Sequence, residues 1–301
     1  MALIVPLFAL LQLAAAAEAP EAMNLARRAY EQVQAGQIEA AIAGLRAAAR
    51  LAPANPLYRS ALGGLFERQG RLEEAVTEFD TAARMDARFL DKLEAVSLDR
   101  GAELARARRF RTGLPFARQT AARFPNSPRA AIMLGLFLMR NQENLAAVEA
   151  YRRAATLARD SAEASVGLGI AQSAAGQLGA AAATFEDGLR RFPQDATPRV
   201  AYGVLLVKMA EAGDGTARAK AVAMFEAALE LDASLPEPRY QLALISLDAG
   251  EAAIALARLE EAERLGLSEP RLHYAAARAL GRLGRSAEAN ERLAKFEAPF
   301  K

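Results

Sequence analysis

Small and bulky apolar residues recur along this chain in linked series whose interval is too long for a single helix or a heptad. Ala29, Gly63, Gly101, Gly135, Gly169, Gly203, Ala243 and Ala277 recur at an interval of 34, except for 38 between Gly63 and Gly101 and 40 between Gly203 and Ala243. A second small series, offset from the first by 12 in most units, runs Ala41, Ala75, Gly113, Ala147, Ala181, Ala221, Ala255 and Ala289. One helical turn beyond it come Leu45, Phe79, Tyr151, Phe185, Phe225, Leu259 and Leu293, with Ala117 the exception. A fixed period of this length marks a repeat array, and small opposite large predicts two closely packed helices with a knob between them.

Between the two series fall helix stops at Gly36, Gly70, Gly176, Gly250 and Gly284, where glycine suits a left-handed cap. Units close at Pro53, Pro125 and Pro193, each followed by Asn, Ser or Asp residues able to cap the next helix. Each unit therefore reads as a helical hairpin, with about eight in a row. Two insertions interrupt the period. One adds about four residues near Phe89 to Leu93, and one adds six between Glu211 and Ala217, where Gly213-Asp214-Gly215 reads as a flexible turn inside the sixth unit.

Composition agrees with helices in close contact. Alanine makes up about a quarter of the chain, cysteine and tryptophan are absent, and 33 Arg stand against 5 Lys. A formal charge of +2 over 301 residues is not the dense basic footprint of a nucleic-acid binder, so no nucleic acid is expected. The absence of cysteine excludes disulfides and thiolate metal sites.

Ala2 to Leu13 is almost wholly apolar, and Ala15-Ala16-Ala17 offers an A-x-A cleavage site before Glu18, the pattern of a secretory signal peptide, although no Lys or Arg precedes the run. Ala2 to Ala17, broken by Pro6, falls short of the roughly 20 residues that span hydrocarbon. A periplasmic or secreted protein without stable membrane insertion after cleavage is expected. The expected division is 1–17 as signal peptide and 18–301 as the array, with units near 22–55, 56–89, 94–127, 128–161, 162–195, 196–235, 236–269 and 270–301.

The runs Leu134-Gly135, Ala147, Tyr151, Ala154 and Leu168-Gly169, Ala181, Phe185, Gly188, Pro193 resemble the tetratricopeptide repeat, over Ala22 to about Glu297. Departures are the missing Trp, Arg28 and Arg100 in place of the helix-A leucine, and Gly113, Ala117 and Thr120 in the third unit. The resemblance implies an all-α, right-handed superhelical solenoid of helix-turn-helix repeats, with the first helix of each lining a concave groove. A protein or peptide partner is expected there, as an amphipathic helix or an extended apolar segment; self-association is left open.

Carried over by position, the groove residues are Ile132, Leu136, Met139, Val166, Ile170, Val200, Val204, Val207, Tyr240, Leu244 and Leu247. This is an aliphatic strip, which does not support the family's clamp for acidic C-terminal tails. The same side chains would equally serve as core between adjacent helices. Arg68, Arg106, Arg140, Lys208 and Arg282, near the ends of the first helices, form either a basic rim for acidic partners or cations offsetting helix dipoles.

Candidate chemistry is sparse. His273 is the only histidine, with no cluster of ligands or nucleophilic triad around it, and Glu73-Glu74 and Glu260-Glu261 are adjacent on helices and so diverge. No enzyme, cofactor or metal is expected. The leading expectation is a scaffold or adaptor in the cell envelope; the alternative is a chaperone-like holder of apolar segments during assembly of a pilus, cytochrome or secretion complex.

Overall fold

The computed structural model describes residues 20–297, and the expected signal peptide lies outside them. Within that span the chain is all-helical. The helices are α1 (Pro20–Gln34), α2 (Ile38–Leu51), α3 (Pro56–Arg68), α4 (Leu72–Met85), α5 (Leu90–Arg106), α6 (Phe110–Arg123), α7 (Pro128–Arg140) and α8 (Asn144–Leu157). They continue as α9 (Ala162–Ala174), α10 (Leu178–Arg191), α11 (Ala196–Glu211), α12 (Ala217–Leu231), α13 (Pro236–Asp248), α14 (Ala252–Arg264), α15 (Pro270–Arg282) and α16 (Ser286–Glu297). Contacts divide the chain into two units, one reaching Asn141 and one beginning at Gln142.

The first helices of hairpins start where the sequence supplies a cap. Asn55 accepts a hydrogen bond from the Leu57 amide at 2.8 Å, Ser127 from Ala130 at 3.1 Å, Ser161 from Ala164 at 3.1 Å and Asp195 from Thr197 at 2.8 Å. Pro56 and Pro128 occupy first-turn positions that need no amide donor. Inside the hairpins the turn needs one residue of positive φ: Gly70 supplies it at 71°, whereas the third hairpin places Arg108 there at 54°.

In three hairpins a glycine on the first helix faces a ring on the second. A Cβ built on Gly63 would lie 2.8 Å from the Phe79 ring, and on Gly169 or Gly203 it would lie 2.5 Å from Phe185 or Phe225. These rings are all but fully buried. Where the facing residue is smaller, as at buried Leu45 and Leu259, the first helix carries Ala29 and Ala243 instead. The summed volume across the seam is thus held nearly constant.

The third hairpin solves the same problem differently. At the phase of the ring it has Ala117, and the space beside Gly101 is filled by Met133 of α7, into which a Cβ at Gly101 would collide. Phe137 of α7 stands 2.5 Å from a Cβ built at Gly113 and makes an edge-on contact with Phe110 at 5.6 Å. Asn141 then donates to the carbonyls of Phe110 at 3.0 Å and Phe137 at 2.7 Å. Accordingly α6 has its broader contact with α7 and its narrower one with α5.

The first insertion is a 3-10 turn, Ala87–Phe89, whose Phe89 is buried and whose start is capped by the Asp86 carboxylate, 2.9 Å from the Arg88 amide. The second lengthens α11 to 16 residues and its turn. There Asp214 accepts from the Thr216 hydroxyl at 2.8 Å and amide at 2.9 Å, bonds that hold its carboxyl below the usual carboxylate range.

Candidate functional site

A binding surface needs apolar side chains that packing leaves uncovered. In the second unit, Ile170 on α9 and Val204 on α11 hold the same place in successive repeats, and each is 42% exposed. Val200 and Val207 on α11 and Leu244 on α13 are half-buried around them. Val166, Tyr240 and Leu247 are buried and belong to the interior. In the first unit, Ile132, Leu136 and Met139 on α7 are half-buried, one turn apart along a single face. The strip therefore separates into side chains that pack and side chains, led by Ile170 and Val204, that remain available.

All five rim cations, Arg68, Arg106, Arg140, Lys208 and Arg282, are exposed, yet several already have local work. Lys208 donates from Nζ to the Ser173 carbonyl at 2.8 Å, in the last turn of α9. Arg282 donates to the Leu247 carbonyl in the last turn of α13. Carbonyls of a last turn have no partner within their own helix, so a cation from the following repeat satisfies one and offsets the dipole. Arg140 lies over the Phe110 ring at 5.4 Å, and Arg106 reaches the Ala102 carbonyl at 3.4 Å.

The strip leads into a pocket that periodicity alone does not show. Val207, Leu244 and Ile245 form the apolar part of a space of about 210 Å³, with Arg218, Arg278, Asp248, Glu211 and Gln241 at its edge. Arg218 stands 3.8 Å and Arg278 4.0 Å from the Asp248 carboxylate, too far for a close pair. Arg278 lies one period beyond Leu244, at the phase of Ile170 and Val204.

A larger cleft of about 860 Å³ lies among α4, α5 and α6 in the first unit, and most of its charges are held in close pairs, Arg123 at 3.9 Å from Asp80 excepted. Arg100 pairs with Glu73 at 2.9 Å and Glu103 at 2.8 Å, while Arg84 holds Asp80 at 2.7 Å. These pairs explain why an arginine replaces the usual leucine at position 100: its head reaches into the cleft. The adjacent carboxylates diverge, with Glu74 bound to Arg71 and Glu73 to Arg100. His273 is packed against Arg292, 3.3 Å from its Nδ1, and Arg292 also holds Glu263 at 2.7 Å. Burial keeps the imidazole below its ordinary pKa, with the nearby Glu263 carboxylate opposing. On α11, burial and then the bond donated to Glu186 at 2.8 Å push the Tyr202 hydroxyl up to about 12.

Among the described residues no group of three or more His, Cys, Asp or Glu is arranged to hold a metal, and no helix is long and apolar enough to cross a membrane.

A family model described as Tetratricopeptide repeat matches residues 26–88, 98–162 and 140–196. No curated protein matches at the sequence level. Solved structures of similar fold include a tetratricopeptide repeat protein from Parabacteroides merdae, 20% identical, covering 87% of this chain and 100% of that one with a TM-score of 0.56. PilW, a type IV pilus biogenesis factor, is 18% identical over 69% of this chain and 94% of its own, with a TM-score of 0.55. A monomeric IFIT1 mutant with m7Gppp-AAAA is 15% identical over 93% of this chain and 69% of its own, with a TM-score of 0.59. Likeness at these identities concerns the fold.

Proposed function

Because this chain belongs to the tetratricopeptide-repeat family, a scaffold for protein–protein interaction, we propose that it is an exported, non-catalytic adaptor holding a protein partner on the strip of its second unit. The observation that carries this reading is the pair Ile170 and Val204, equivalent in successive repeats and each 42% exposed on the helix face assigned to ligands. Two aliphatic side chains left uncovered at the same phase offer successive anchors to an apolar helix or an extended segment. Covering the part of each that is still exposed contributes roughly 1 kcal/mol, less than half of the ~1.5–3 kcal/mol of full burial. Export is supported by the apolar Ala2 to Leu13 run and the alanines before Glu18. The near-balanced charge supports a protein ligand over a nucleic acid.

The test is crosslinked co-purification of the mature chain from its own cell envelope, beside a variant carrying Ile170→Asp and Val204→Asp. Capture of one partner at fixed stoichiometry, lost in a variant that keeps its helical circular dichroism, supports the adaptor. Weak capture of many unfolded clients, lost in the same way, replaces it with a holder of apolar segments. Capture that the folded variant retains removes the strip from consideration.

A further inference from the structure

At equivalent phases the second unit's first helices present Ile170, Val204, Leu244 and then Arg278, so the aliphatic ladder ends on a cation. Arg278 does not stand alone there. Arg218, from the start of α12, faces the same carboxylate, Asp248, at 3.8 Å against 4.0 Å for Arg278, and both guanidiniums border the pocket of about 210 Å³ floored by Val207 and Leu244. At these separations neither makes a hydrogen bond to Asp248, so both guanidiniums keep donors without a close partner beside the apolar floor. Glu211 borders the same pocket as a second carboxylate beside Asp248.

We propose that the segment held on the strip carries an acidic side chain beside its apolar anchors, received between Arg218 and Arg278. The inference rests on the strip being the binding surface. A carboxylate entering the pocket accepts charge-assisted hydrogen bonds from two forked donors that the fold leaves without a close partner. Its apolar neighbours one turn away bury against Leu244 and Val204. Among these four equivalent positions the cation comes last, so it also sets the direction in which the segment lies.

The experiment is selection of a displayed random peptide library on the full chain, with every peptide fused so that it has no free carboxyl terminus. An acidic preference then reports side chains alone. The expected result is enrichment of apolar residues at helical spacing with Asp or Glu three or four positions away. The Arg218→Ala/Arg278→Ala variant should keep the apolar enrichment and lose the acidic one, and Arg278→Gln should weaken it in the same sense. A selected peptide should bind the double variant roughly tenfold more weakly than the parent chain, with an Asp→Asn peptide showing the same loss on the parent.

Apolar enrichment without an acidic residue, or an acidic preference unchanged in the double variant, overturns the proposal. No apolar enrichment, or binding that survives Ile170→Asp/Val204→Asp, overturns the strip itself and the acidic subsite with it.

Discussion

The fifth hairpin, α9 with α10, and the third, α5 with α6, close the same kind of seam with material from different places. In the fifth, Gly169 takes the Phe185 ring from its own second helix. In the third, the buried residues of α6 are Gly113, Leu114, Ala117, Thr120 and Ala121, with no ring at the phase of Phe185, and Met133 and Phe137 of α7 fill the space beside Gly101 and Gly113. A seam needs a filled volume, and a neighbouring helix can provide it as well as the hairpin's own. The consequence is a difference in where the intra-hairpin knob comes from. The fifth hairpin carries the ring that faces Gly169 within itself, although its Gly167 also takes the Tyr151 ring of the fourth. The third draws the filling of its own seam from the first helix of the fourth.

The largest test of this difference removes the rings. Phe185→Ala and Phe137→Ala should each cost ~3–5 kcal/mol by opening a buried cavity. Hydrogen exchange should then separate them. Phe185→Ala should loosen α9 and α10 together, whereas Phe137→Ala, a change in α7, should loosen α5 and α6. Normal protection of α5 and α6 in Phe137→Ala would falsify the dependence.

A smaller effect comes from giving the third hairpin a knob of its own. Ala117→Leu should destabilise by ~1–3 kcal/mol through overpacking against Met133. Combined with Met133→Ala, it should recover most of that loss, seen as a favourable coupling in a double-mutant cycle by urea unfolding. Simple additivity would mean that the two side chains do not compete for one space.

Smaller again is the effect of a single methyl on the glycine side. Gly169→Ala meets the Phe185 ring at 2.5 Å, and its cost of ~1–2 kcal/mol should exceed the gain in helix propensity. Gly101→Ala meets the sulfur of Met133, on an unbranched side chain that can change rotamer, so it should cost less than Gly169→Ala and fall within ~1 kcal/mol of neutral. Equal losses at the two positions would remove the distinction between a rigid and an adaptable filler.

The turns give the smallest contrast. Arg108 holds a φ of 54° where Gly70 has 71°, so Arg108→Gly should stabilise by a few tenths of a kcal/mol to ~1 and Gly70→Ala should destabilise by ~1. Thermal melts of the two variants should shift in opposite directions.

Period and phase were legible in the residues because backbone geometry forces them. Gly63, Gly169 and Gly203 stand where a Cβ cannot, and Gly70 and Gly176 stand where φ is positive. The caps at Asn55, Ser127 and Asp195 were legible for the same local reason. What periodicity could not show is which helix fills a gap. Ala117 signals a missing knob but carries no pointer to Met133, which belongs to another repeat. The Arg218 and Arg278 pair was illegible because the two are far apart along the chain, in unrelated phases, and meet only through Asp248. Arg100, in sequence a departure from the repeat, finds its reason in Glu73 and Glu103. Lys208 and Arg282 admitted two readings from their positions alone, and the carbonyls of Ser173 and Leu247 that they reach are visible only once helices are placed beside each other.

The borrowed knob also bears on ancestry. An array of this kind grows and shrinks by copying or losing whole blocks, and a block can move freely only if it carries everything its interior needs. The fifth repeat's Gly169 and Phe185 would travel together in such an event, but a copy of the third without α7 would arrive hollow beside Gly101 and Gly113. The heritable module in this stretch is longer than one period, so gains and losses of single repeats among descendants of this chain should spare the junction between α6 and α7.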